Sequence, residues 1–292
     1  MALYVREEQY ELERPTFVLA LDGWVDAGSG TAQARAALLD QMDTQRIGSF
    51  DADALIDYRA RRPTMVLTDG VIESMRWPAI EVRYGVDRGG NDVVFIVGPE
   101  PDTGWQAFCA EIVALAQGYD ARMVVGLGAF PAPVPHTRPI RLASTAATRE
   151  LAEVIGFVPG SMEVPCGIHA AIEAGCQAVG LPAIGVWARV PHYLAASSYP
   201  AAAAALVDGL AKVADLTLHS GELHAEATGA KIRIDALVAE SDEHRALVRQ
   251  LEAQYDAEVE PEPTQPIGVT DPDALERGLS DIEEFLRDQR DG

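Results

Sequence analysis

Short apolar runs that end in glycine or in a polar loop alternate along this chain with stretches of helical spacing, and that alternation predicts an α/β fold. Thr16 to Leu21 is the first apolar run and stops at Asp22-Gly23; from Ser29 onward Thr31, Ala34, Leu38 and Leu39 give a helical composition. Met65 to Leu67 reads as a second short strand. Ala79 to Tyr84 and Val93 to Val97 flank Asp87-Arg88-Gly89-Gly90, the glycine turn of a hairpin. Helices are expected over Thr103–Gln117, Thr145–Val154 and Pro165–Ala178. The apolar run after Arg122 and the run Ala183–Val190 read as buried strands. Together these predict a three-layer α/β/α sandwich around a mixed, mostly parallel sheet, with no internal repeat.

Past Pro200 the character changes. Ala201 to Leu218 is alanine-rich with Leu206, Val207, Leu210 and Val213 at helical spacing, Gly229 reads as an interruption, and Leu237, His244, Val248, Leu251 and Tyr255 recur near heptad spacing. This pattern is a helical hairpin that either packs on its own subunit or forms an oligomer contact. The expected organisation is a sandwich over 1–225, a helical extension over 226–257, a proline-broken acidic linker over 258–270 and an acidic amphipathic helix over 271–292. In that last segment Asp271-Pro272 is a helix start, and Leu275, Leu279, Ile282 and Leu286 form one stripe.

A chain of 292 residues that is 48% hydrophobic is long enough to bury a sizeable core. Lys and Arg total 23 against 45 Asp and Glu, a net charge of -22 that repels the phosphate backbone, so nucleic acid is not an expected partner. From Glu252 to Gly292 there are 13 acidic and 3 basic residues, which concentrates the charge in the tail. Cys109, Cys166 and Cys176 form no C-x-x-C pair and read as reduced thiols of a cytoplasmic protein. The N-terminus does not read as a secretory signal, and no apolar run approaches a membrane span, so no membrane association is expected.

In a parallel sheet the carboxyl ends of the strands share one edge, and ligands bind there. The loops at residues 22–28, 98–105, 135–139 and 190–193 should therefore converge. Gly28, Ser29, Gly30 and Thr31 at a helix start offer backbone N–H groups to an anion, and Arg138 or Arg141 offers a clamp for a carboxylate or phosphate. Asp22, Asp26, His136 and His192 are the acid or base candidates. Each has a plainer reading: Ser29 or Thr31 as a helix cap, the two aspartates as fixers of a glycine turn, the histidines as groups held by backbone bonds. Histidines without a carboxylate at ligand spacing do not suggest a metal. No G-x-x-x-x-G-K-[ST], completed G-x-G-x-x-G, G-x-S-x-G or H-E-x-x-H occurs, so no cofactor is expected.

Asp22 to Gly30, Gly98 to Asp102, Gly126 to Pro131 with Pro135 to Pro139, Cys166 to Ile168, and Trp187 to Tyr193 occur in an order that resembles the proteasome assembly chaperone 2 family, in its prokaryotic branch. The resemblance spans about Leu3 to Tyr255. It implies a phosphorylase/hydrolase-like sandwich and a homo-oligomer, taken as a trimer, with other proteins as further partners. Eukaryotic relatives hold proteasome α subunits during assembly without ATP chemistry. Some archaeal relatives dock through a C-terminal hydrophobic-Tyr-any motif, which the ending Asp288 to Gly292 does not match. Two functions stay open: a non-catalytic oligomeric scaffold, and a small-molecule enzyme or sensor that binds an anionic ligand at the carboxyl edge.

Overall fold

The structure is a computed structural model, which describes residues 3–161 and 163–257; the acidic linker and the tail helix lie outside the described residues. In chain order the elements are β1 (Tyr4–Arg6), β2 (Thr16–Asp22), α1 (Gly30–Gln41), β3 (Gln45–Phe50), α2 (Ala52–Leu55), β4 (Thr64–Thr68), β5 (Val71–Arg76), β6 (Glu81–Val86) and β7 (Asp92–Pro99). There follow α3 (Trp105–Gly118), β8 (Met123–Ala132), β9 (Leu142–Ala146), α4 (Arg149–Glu153), α5 (Ile168–Ala178), β10 (Ala183–Pro191), α6 (Pro200–Ala214), α7 (Gly221–Ala239) and α8 (Asp242–Ala257).

Eight strands form one sheet in the order β1-β3-β6-β7-β2-β8-β10-β9. The central four, β7, β2, β8 and β10, pair in parallel, while β1, β6 and β9 run against their neighbours. Alternation along β2 builds two cores at once. Val18 and Ala20 face α1 and α6 with Leu38, Leu206 and Leu210, whereas Phe17, Leu19 and Leu21 face α3 and α5 with Phe108, Ile112 and Ile172. This is the expected three-layer sandwich, and each central strand is apolar because both of its faces are covered.

Four sequence expectations change. Met65–Leu67 is a strand, but it lies in a separate two-stranded ribbon, β4 with β5, closed by Asp69 and Gly70 in left-handed conformations (φ 50° and 81°). Thr145–Val154 is not one helix, because Leu142–Ala146 adds to β10 as the antiparallel edge strand β9 and only Arg149–Glu153 is helical. Helix α5 begins at Ile168 rather than Pro165. Helix α7 runs unbroken through Gly229, and the break between the last two helices falls instead at residues 240–241.

Candidate functional site

The chain leaves β2 at Asp22, whose carboxylate pairs with Arg35 of α1 at 2.6 Å. Four residues on, Asp26 accepts from the N–H groups of Thr31 (2.7 Å) and Ala32 (3.0 Å) and so caps α1. Between them Gly28 (φ 67°) and Ser29 (φ 52°) make a tight left-handed turn. Gly28 donates its N–H to Ala195 O (2.7 Å) and its carbonyl accepts Tyr199 N–H (2.9 Å); a Cβ there would lie 2.7 Å from Tyr199 Cβ. A Cβ at Gly30 would lie 3.0 Å from Ala202 Cβ and 3.1 Å from Ala129 Cβ. Gly28 and Gly30 therefore fit the turn and the close approach of α1 to α6, and Ser29 makes no side-chain cap bond.

The loop after β8 forms a second cluster, together with the last two helices. His136 is buried; its N–H donates to the Tyr193 hydroxyl (2.9 Å), its Nδ1 lies 2.7 Å from the same oxygen, and its Nε2 lies 3.1 Å from Asp235 of α7. Burial holds the imidazole below its usual pKa. Arg138 donates in fork fashion to Asp256 (2.8 and 2.7 Å) and again to Glu252 (3.1 Å), both on α8, which raises its pKa. Arg141 lies 3.6 Å from the Tyr255 ring centroid and donates to Tyr255 O, while the Tyr255 hydroxyl donates to Pro139 O. His192 only edges the Tyr193 ring, at 5.4 Å between centroids. The residues offered as clamp and base thus fasten α7 and α8 to the sheet. Glu252 and Asp256, one turn apart on one helix face, were the sequence signal for that role.

Between these clusters, where β2 and β8 adjoin at the carboxyl edge, lies a cavity of about 20 Å³. Of the candidate residues only Thr31 lines it; its other polar walls are Glu100 from the end of β7 and His169 from the start of α5, with Trp24 at its side. Glu100 is buried and caps α5 by accepting Ile168 N–H at 2.7 Å. His169 Nε2 accepts Leu21 N–H at 3.4 Å, and burial pushes its pKa down to about 4. One turn further along α5, buried Glu173 accepts the Thr145 hydroxyl (2.8 Å), which in turn accepts the Trp187 indole N–H (3.2 Å). Desolvation raises Glu173 to about 7, and its Oε1 has no partner among the described residues. A Cβ at Gly185 would lie 2.5 Å from that oxygen, and one at Gly128 would lie 2.3 Å from the Trp187 ring, so the bare strand backbone makes room for both side chains. Glu100, His169 and Glu173 carried no assigned role in the sequence. The available signal was His169 and Glu173 standing among Ile168, Ile172 and Cys176 on the apolar face of a helix.

Among the described residues no group of three or more His, Cys, Asp or Glu side chains is placed to hold a metal, and no helix is long and apolar enough to cross a membrane.

The model of the PAC2 family matches residues 20–238. A protein of unknown function from Mycobacterium tuberculosis is 34% identical, with a TM-score of 0.81 over 88% of this chain and 90% of that one. One from Corynebacterium glutamicum is 31% identical, with a TM-score of 0.82 over 88% and 98%. A proteasome-assembly chaperone homologue from M. tuberculosis is 33% identical, with a TM-score of 0.74 over 80% and 99%. The comparison with curated proteins finds no significant match.

Proposed function

The chain belongs to the PAC2 family, and on that premise we propose that it is a non-catalytic, chaperone-like protein that binds other proteins and associates with itself. One observation carries this reading, the β4–β5 ribbon. Cross-strand partners in an antiparallel ribbon share a face, and here Met65 is opposite Met75 and Leu67 is opposite Ile72. Simple alternation from Met75 would send Ile72 to the other face. Glu73 is an extra residue, left out of the pairing, and this bulge returns Ile72 to the apolar side. Among the described residues the ribbon's own apolar face is uncovered, with Ile72 59% exposed and Leu67 53% exposed. Two strands alone are marginal in water, and burying each large apolar side chain contributes roughly 1.5–3 kcal/mol, so the ribbon gains most from a protein cover. The tie of Asp22, Asp26, His136 and Arg138 to other parts of the chain further favours a non-catalytic role.

Because one of the two M. tuberculosis relatives, the one 33% identical, is described as a proteasome-assembly chaperone homologue, proteasome subunits are the first partners to offer. Self-association is checked by light scattering on the full chain and on Leu67→Asp/Ile72→Asp. The wild type should exceed the 31.3 kDa of one chain and the variant should fall toward it. A wild type that stays at the mass of one chain at tens of micromolar overturns the self-association reading.

A further inference from the structure

The cavity beside Trp24 contains an acid that lacks a counter-charge. Glu100 is 6% exposed; one carboxylate oxygen, Oε1, accepts Ile168 N–H, while the other, Oε2, makes no hydrogen bond among the described residues and lies beside Gly23 on the cavity wall, where it keeps some contact with solvent. Among the described residues no lysine or arginine lines the cavity, and the histidine that does is kept neutral by burial. A carboxylate oxygen left without a hydrogen bond at the wall of a cavity is a place for a cationic donor, whose charge-assisted hydrogen bond to it is stronger than a neutral one. Size then decides which cation. About 20 Å³ is the room of a single water, which suits a primary ammonium head and is too small for a planar guanidinium.

The approach fits the same guest. Trp24, 66% exposed, offers an indole to a cationic head and its alkyl stem. Gly167 and Gly23 flank the acid: a Cβ at Gly167 would sit in ordinary contact with Glu100 Oε1 (3.7 Å) and with Trp24 Cδ1 and Nε1 (3.8 Å), and one at Gly23 would lie 3.9 Å from the open Oε2, so both glycines leave side-chain-free space beside the carboxylate. The net charge of -22 draws cations to the surface.

We propose that this cavity is a recognition site for a primary ammonium group on an alkyl stem, with Glu100 as its counter-ion and Trp24 flanking the stem. The site goes beyond the chaperone-like reading and does not depend on it, since a chain that fails to self-associate still presents the same cavity. The stem can belong to a free polyamine or to a lysine of another protein.

The test is calorimetric titration of the full chain at pH 7 with butylammonium, using butyrate and guanidinium as controls. Butylammonium alone should bind. Glu100→Gln, whose amide oxygen still accepts Ile168 N–H, should weaken it at least tenfold, as should Gly167→Ala, which fills that space and leaves the acid in place. Absence of butylammonium binding to the wild type, or equal binding by both variants, overturns the proposal. Tighter binding of spermidine than of Nα-acetyl-lysine amide points to a free polyamine, the reverse order to a protein lysine, and either order supports the site.

Discussion

The loop after β8 and the cavity beside Trp24 lie on the same edge of the sheet, yet the first is fully partnered and the second is not. Around His136 and Arg138 the buried or half-buried polar atoms meet a carboxylate, a hydroxyl or a carbonyl. Among the described residues Glu100 and, one turn along α5 from His169, Glu173 each use one carboxylate oxygen in a hydrogen bond; the second oxygen of Glu173 is buried without a partner, and that of Glu100 is open to the cavity side. Full satisfaction rigidifies, and here it holds two helices to the sheet; partial satisfaction leaves capacity for a proton or a guest.

The contrast breaks most visibly at His136, whose side chain is wholly buried. His136→Ala should cost about 3 kcal/mol in urea unfolding, since it leaves a void and strands the Tyr193 hydroxyl, while Asp235 keeps Lys231. Hydrogen exchange should speed up in α7 and α8 and stay unchanged in α5. Equal loosening of both regions would erase the distinction.

On the other side, Glu173 titrates. It keeps its proton to about pH 7 when folded, against an ordinary 4.5, so the unfolded chain binds fewer protons between those values. Stability therefore falls as pH rises through that window, by roughly 3 kcal/mol in all. His169 does the reverse: it charges near 6.5 when unfolded and near 4 when folded, so stability is present above 6.5 and is lost as pH falls toward 4. Between 4.5 and 6.5 the two slopes oppose each other. Glu173→Gln should expose the histidine slope, with a melting temperature that climbs from pH 4.5 to 6.5 and exceeds the wild type above pH 7. A variant whose curve parallels the wild type would remove Glu173 as the titrating group.

The smallest effects sharpen the first turn of α1. Asp26→Ala should cost about 1–2 kcal/mol by loss of the cap, while Ser29→Ala, with no cap bond to lose, should stay within about 0.5 kcal/mol of the wild type.

The central strands were legible because burial on both faces writes a continuous apolar run, as in Phe17–Leu21 and Val93–Val97. Edge strands carry no such mark. Of the edges, Tyr4–Arg6 is only three residues long, and Leu142–Ala146 is mostly small residues that only the flank of β10 turns into a strand; even Gln45–Phe50, one place in from the edge, begins with two exposed polar residues. At the site, glycines and prolines drew attention to loops, and the structure uses Gly28 and Gly30 for packing. Glu100, His169 and Glu173 were hidden for the opposite reason: an isolated polar residue in an apolar pattern has no periodicity of its own, and its partners come from elements distant in the chain.

The bulge at Glu73 also bears on how far association can run. A flat, regular ribbon with an apolar face and two open edges is a template for stacking without end, as in fibrils. The extra residue twists β5, and a carboxylate at the irregular position, with Arg76 at the end of the same strand, makes further ribbons poor neighbours. The surface that invites a partner thus carries its own stop, which favours a counted assembly over a filament.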